Sequence, residues 1–306
     1  MASNTAGLSY VKANDYGFAY QKISTSETNP PLILVHGHIS DYRTWTAIIP
    51  FLSQHFTIYN YSRRFAWPNE PIPDEHAPRW EQDAEDLIAV IQALDIAPCH
   101  VLGNSSGAFG ILWAAKTHQH LFRSILLEEP PLVPLFYPTL PPGLLDTLKF
   151  FITHPISFFP VTYYGAATIG PAVEFAKANP TDYNGTVDIF GPGVLGAEFW
   201  KRAKTDPARR QQFEDNAKWL HNFFGKSAIP VYRPEDVGKV TVPALVLTGT
   251  DGPWSQQCID SELFRLFKAA GNGKKDRAWI KGAGHLMQED EPEKVAEAVK
   301  RFVLGI

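Results

Sequence analysis

The sequence predicts an α/β fold, with a mostly parallel central sheet flanked by helices and an inserted, mainly helical cap. Three observations point there. Short apolar runs such as Leu32–Val35, His100–Leu102 and Ala244–Leu247 alternate with helix-length amphipathic stretches. Runs of this kind suit parallel strands buried on both faces. The alternation stops between about Pro130 and Val237, where Phe, Tyr, Pro and Gly are frequent and the patches are helical. It resumes after that, so the expected division is 1–130 as the first part of the core, 131–237 as the cap and 238–306 as the second part.

Taken in order, Leu8–Val11 and Tyr16–Ile23 form a hairpin turning at Asn14-Asp15. Pro31 opens the strand Leu32–Val35, which ends in His36-Gly37-His38. A short helix is expected within Trp45–Leu52 and a strand at Phe56–Tyr59, followed by Arg63-Arg64 and a Pro-rich loop to Pro78. Trp80–Leu94 is an amphipathic helix with Leu87, Ile88, Ile91 and Leu94 on one face. Strand His100–Leu102, helix Ala108–Lys116 and strand Ser124–Leu127 come next, the last ending at Glu128-Glu129-Pro130-Pro131. In the cap the clearest helical patches are Leu144–Ile152, Ala172–Ala178, Ala197–Arg202 and Ala208–Phe224. Strands return at Val242–Leu247 and Arg277–Ile280. The final helix, Pro292–Val303, has Pro at its first position and acidic residues just before it, and turns Val295, Val299 and Phe302 to the sheet.

Length and composition narrow the function classes. The chain has 306 residues, 44% of them hydrophobic, enough for one large core or a core plus a lid. A net charge of -4 with interspersed signs gives no nucleic-acid groove and no basic membrane-binding face. Cys99 and Cys258 are too few for a disulfide framework and lack metal-ligand spacing. No metal and no cofactor is expected. No run reaches the roughly 18 apolar residues of a membrane span. Met1–Gly7 has neither a basic nor an apolar leader. The expectation is a cytoplasmic protein, in which the sequon Asn184-Gly185-Thr186 goes unused.

Chemistry is concentrated at Gly103-Asn104-Ser105-Ser106-Gly107. Strand, Gly-x-Ser-x-Gly, helix is the context of a nucleophile elbow, where a tight turn exposes a serine hydroxyl above the sheet. Gly103 and Gly107 remove Cβ atoms where strand and helix nearly collide. A serine needs a base, the base an orienting acid, and the oxyanion needs donors. His285, in Lys281-Gly282-Ala283-Gly284-His285 between the last strand and the last helix, is the candidate base. Two carboxylates compete for the acid. Asp251 follows the strand Ala244–Leu247, and Glu129 follows Ser124–Leu127. Charged residues are rarely buried at a strand's end without a partner, so one of Glu128 and Glu129 is expected to have one. The other would be solvated or paired with an arginine such as Arg123 or Arg64. The oxyanion donors would be the backbone N–H groups of Ser106 and His38, with Gly37 permitting the tight backbone. His36 is expected to be a hydrogen-bonder under that turn.

With the elbow, His36-Gly37, the cap insertion and Gly284-His285 in that order, the chain resembles the α/β-hydrolase superfamily. The resemblance implies a core over about 30–130 and 240–304 and a lid over 131–237. The superfamily's usual acid lies three residues after the glycine of Gly-x-x-Asp. Here that place is Gly252, and Asp251 stands one residue early. A subset that includes fungal zearalenone lactonases places a glutamate after the sixth strand, following Gly-x-Ser-Ser-Gly. Glu129 stands where that acid would, and the cap segment from Val194-Leu195-Gly196 through Trp200 to Asp215-Asn216 is similar to caps of this subset. The resemblance leans to Glu129, with Asp251 kept as the alternative. It also sets the chain apart from haloalkane dehalogenases and epoxide hydrolases, which have an aspartate at the place of Ser105.

The expected function is a serine hydrolase that cleaves a carboxylic ester or lactone of an apolar small molecule, with Trp200 and Asn104 as candidate pocket residues. The alternatives on the same scaffold are a C–C bond hydrolase of a β-diketone, a non-hydrolytic enzyme of secondary metabolism and a slow-turnover ligand receptor. Two features are read as decoys. Gly191-Pro192-Gly193-Val194-Leu195-Gly196 matches Gly-x-Gly-x-x-Gly but does not open a βαβ unit. The paired aromatics Phe150-Phe151, Phe158-Phe159 and Tyr163-Tyr164 are assigned to a lid rather than to membrane insertion, with Pro155 and Pro160 breaking any long helix there. Arg63-Arg64 is expected to form a structural ion pair below the site.

Overall fold

The structure is a computed structural model of the chain and describes residues 7–137, 142–228, 231–271 and 273–306. The leader reading of Met1–Gly7 lies outside them except for Gly7. Eight strands form one sheet in the order β1-β2-β4-β3-β5-β6-β7-β8. They are β1 (Ser9–Ala13), β2 (Tyr16–Ile23), β3 (Pro31–Val35), β4 (Thr57–Tyr61), β5 (Cys99–Asn104), β6 (Phe122–Glu128), β7 (Ala244–Gly249) and β8 (Lys275–Ile280). β1 pairs with β2, and β2 with β4, antiparallel; from β4 to β8 every pairing is parallel. The hairpin turns at Asn14 and Asp15, both at positive φ, a conformation that Asn and Asp tolerate better than most residues.

The parallel strands bury both faces, so alternate side chains enter two cores. Leu32 and Leu34 of β3 join Leu102, Leu126, Leu245 and Leu247 on one face. There they meet Val295, Val299 and Phe302 of the final helix, Pro292–Leu304. Ile33, Val35, Val101, Ile125, Leu127 and Val246 point to the other face. That face is covered by the helices Trp80–Ala93, Ser106–Ala115 and Trp254–Ala270. Period-2 alternation within continuous apolar runs produces this two-sided packing.

Between β6 and β7 the described residues form helices and no strand. Phe150, Val161, Val187, Phe213 and Phe223 of this insertion belong to the same buried cluster as Ile33 and Val101 of the sheet, so the insertion closes over the core. Two of its helices depart from expectation. Pro155–Tyr164 is helical despite Pro160, and continues through a widened turn, Gly165–Ile169, into Gly170–Ala178. Pro155 sits at the first helical position, where its missing N–H costs nothing. The carbonyl that Pro160 leaves free belongs to Ile156, an exposed residue. The second helix, Tyr183–Leu195, runs through the glycine-rich decoy. A Cβ on Gly191 would lie 2.2 Å from the Trp200 ring, and one on Gly193 would lie 1.9 Å from Thr168 Oγ1. Those glycines allow helices to pack closely. Among the described residues, no helix is long and apolar enough to cross a membrane.

Candidate active site

β5 ends at Asn104 and a helix starts at Ser106, which leaves Ser105 alone in the turn at φ 54°, ψ -124°. L residues rarely adopt this region, so the surroundings must hold it. The Ser105 N–H donates to Glu128 O at 2.7 Å, tying the turn to β6. A Cβ on Gly103 would meet Ile111 Cδ1 at 2.4 Å, and one on Gly107 would meet Val35 O at 2.3 Å. Only glycine fits at either position. The Ser106 N–H stands in the first position of the helix, at its positive end, next to the serine.

His285 lies in the loop after β8 and is 4% exposed. Its Nδ1–H donates to Glu129 Oε2 at 2.8 Å. The other carboxylate oxygen of Glu129 accepts the Gly249 N–H at 2.9 Å. Glu129 is fully buried and held at φ 44°, the strained turn that carries the chain out of β6. A carboxylate on Nδ1 keeps the proton there and leaves Nε2 as an acceptor. The Asn104 amide donates to His285 O at 2.9 Å, so β5 also holds the histidine loop. Asp251, the other candidate acid, is exposed; its carboxylate accepts the Thr250 hydroxyl at 2.6 Å and its N–H donates to Ala283 O at 3.0 Å. It braces the loop, and the carboxylate on the imidazole is that of Glu129.

Glu128 corrects an expectation. It is neither solvated nor paired with arginine: it is fully buried, and neither carboxyl oxygen has a hydrogen-bond partner among the described residues. Arg64 holds Asp86 at 2.7 Å, and Arg123 donates to Pro98 O at 2.9 Å. The cause is position: Glu128 ends a strand flanked on both sides, by Asn104 of β5 and Leu247 of β7. Burial pushes its pKa well above the carboxylate range; the Asn104 amide opposes the shift and the Glu129 charge adds to it.

The turn after β3 passes directly beside the serine, and a Cβ on Gly37 would sit 3.0 Å from Ser105 Cβ. Beneath it, His36 Nε2 accepts the Arg63 N–H at 2.9 Å and Nδ1–H donates to Gly37 O at 2.7 Å. Arg63 is buried, pairs with Asp83 at 2.5 Å and donates to Ser106 Oγ at 2.9 Å. Burial, and then the Arg63 charge, hold both His36 and His38 well below the usual imidazole range, so both rings are neutral.

Ser105, Ser106, Asn104, His38 and His285 share the wall of a cavity of about 670 Å³. Its remaining wall is mostly apolar and comes largely from the insertion, including Val161, Phe190, Val194 and Phe223. Such a volume suits a small organic molecule. Trp200 is not part of this wall. Its ring stacks on Phe213 at 5.5 Å between centroids and covers Gly191, so packing between insertion helices uses it up.

The sequence profile of the alpha/beta hydrolase family matches residues 32–298. The chain belongs to the alpha/beta hydrolase family. Among curated proteins, this hydrolase-family chain is 22% identical to a karrikin insensitive 2 receptor of Petunia hybrida over 89% of each chain. Among solved structures, it superposes on an enol-lactonase from Burkholderia xenovorans with a TM-score of 0.71 at 16% identity, covering 97% of this chain and 100% of that one. A carboxylesterase from Bacillus subtilis gives a TM-score of 0.68 at 18% identity, covering 98% and 92%. At these identities the superpositions establish the fold of this α/β hydrolase.

Two features of the site went unread in the sequence. One is the Asn104 amide holding the histidine loop, which joins residues 181 apart. The other is the group of rings around His38, formed by Trp80 from the core and Trp219 and Phe223 from the insertion. Their spacing in the chain carries no common period, and only tertiary packing assembles them.

Proposed function

We propose that this protein is a serine hydrolase that cleaves a carboxylic ester or lactone of an apolar small molecule. The observation that carries this reading is the hydrogen bond from His285 to Glu129 behind a serine held in a strained elbow. Ser105 Oγ attacks the carbonyl carbon while His285 Nε2 takes its proton. The resulting oxyanion is met by the N–H groups of Ser106 and His38, with Gly37 allowing the close approach. The tetrahedral intermediate expels the alkoxide, which receives the proton from His285, and an acyl-enzyme remains. Water then attacks the acyl carbon with His285 as base, releasing the acid and restoring Ser105. Glu129 fixes the imidazole tautomer and stabilises its charged form. No step calls on a metal or cofactor.

A second reading is favoured by one observation, that the curated relatives at 22% and 24% identity are named as receptors. A receptor built on the same site would bind tightly and turn over slowly or once. Both readings are tested with a panel of aryl esters and lactones, counting product per protein molecule. Many products per molecule, with labelling of Ser105 by a fluorophosphonate, supports the hydrolase. A burst of one product with no further release supports the receptor, and absence of both labelling and turnover removes the serine mechanism.

A further inference from the structure

The polar groups on the cavity wall are nearly all engaged by the protein. Asn104 donates to His285 O and the Ser106 hydroxyl accepts from Arg63. Tyr137 and Thr162 bond to one another. Glu174 and Lys177 pair with each other across 3.8 Å at exposed positions. Beyond Ser105 and His285, whose free atoms the proposed reaction uses, two rings of the wall are left unbonded: Trp80, whose Nε1–H is a donor only and is buried without a partner, and His38, which can both donate and accept. The His38 Nε2 is buried without a partner, and that ring makes no hydrogen bond to any described residue. Leaving a half-buried imidazole unbonded costs hydrogen-bonding energy, and a ligand group that bonds to the ring recovers that cost.

The surroundings of the ring define what that group would be attached to. The His38 ring lies 4.5 Å from Phe223, 4.7 Å from Trp219 and 5.7 Å from Trp80, and Trp80 meets Phe223 edge-on at 4.5 Å. Trp80 and Phe223 face the same cavity as His38. Edge-to-face surroundings of this kind favour a planar aromatic guest. Arg63 beneath the turn disfavours a cationic one. A neutral imidazole has one donor and one acceptor nitrogen, and a hydroxyl group can serve either.

We propose that His38 is a specificity-determining polar contact of the cavity, binding through its side chain a hydroxyl group on an aromatic acyl substrate. This rests on the ester or lactone reading above. The same residue would contribute its N–H to the oxyanion and its ring to the hydroxyl, so the hydroxyl lies about one side chain's length from the reacting carbonyl. Sites built to hydrogen-bond a substrate hydroxyl discriminate against the analogue that lacks it.

The test compares 4-nitrophenyl benzoate with its 2-, 3- and 4-hydroxybenzoate counterparts on wild type, His38→Phe and His38→Gln. Wild type is expected to favour at least one hydroxylated ester by about 10-fold in kcat/KM. His38→Phe abolishes that ratio whatever its absolute rate, and His38→Gln, which keeps a donor and an acceptor, restores part of it. Binding of the same esters to Ser105→Ala, with and without His38→Phe, is followed by the fluorescence of the adjacent tryptophans and is expected to show the same ratio in Kd. This readout stands even if no ester is turned over, which separates failure of this proposal from failure of the hydrolase reading. Equal handling of all four esters by wild type, or a preference that survives His38→Phe in both readouts, overturns it.

Discussion

Glu129 is fixed at both carboxylate oxygens, one on His285 and one on the Gly249 N–H. Glu129→Gln would keep the shape and lose the charge that holds the imidazole tautomer, so kcat should fall on the order of 10³- to 10⁴-fold. Asp251→Asn should change kcat less than about 3-fold, because Asp251 is exposed and bonds to Thr250 rather than to the histidine. Steady-state kinetics on one good ester would decide: a dead Asp251→Asn beside an active Glu129→Gln would contradict the assignment. At this scale the sequence was half legible. The glycines around Ser105 and the glycines before His285 announce tight turns, and those turns are where the structure has them. Which carboxylate reaches the histidine was not legible, since it depends on how far β6 and β7 each extend before their chains turn.

The central strands of the sheet were legible because parallel strands buried on both faces write themselves as apolar runs, whereas β8 at the edge mixes charged and apolar residues. β3, β5, β6, β7 and β8 each lie within two residues or so of the predicted spans. The insertion was less so. Pro160 and the Gly191-Pro192-Gly193 run carry the local signals of helix breakers, yet both lie inside helices. There tertiary packing outweighs propensity: the glycines admit Trp200 and Thr168 at distances no Cβ would allow. Gly191→Ala is therefore expected to destabilise the protein by about 1–3 kcal/mol through overpacking against Trp200. Urea denaturation of Gly191→Ala, alone and with Trp200→Leu, checks this. The second change should relieve part of the loss, and equal stability of Gly191→Ala and wild type would refute the packing account. The insertion is also tied to the histidine loop, since Arg209 pairs with Glu289, and the Gly284 N–H donates to Asp290 at 2.9 Å.

Global stability should register the buried, unpaired Glu128. Its folded-state pKa lies above its unfolded one, so the folded chain binds the proton more tightly. Its contribution is fully present below the unfolded value near 4.3 and is lost as pH rises, at about 1.4 kcal/mol per pH unit, until the folded pKa is reached. Glu128→Gln removes this loss. The variant should gain on wild type as pH rises above the unfolded carboxylate value, read in denaturant midpoints, and a difference that does not change with pH would contradict the raised pKa of Glu128. The whole molecule thus combines a sheet that fixes Ser105, Glu129 and His285 with an insertion that shapes an apolar cavity over them. The most direct test of the central claim is kcat/KM for Ser105→Ala on an ester or lactone that wild type hydrolyses with many turnovers. A loss of at least about 10⁴-fold is expected, in a protein that remains folded. Activity within a few-fold of wild type would contradict that claim.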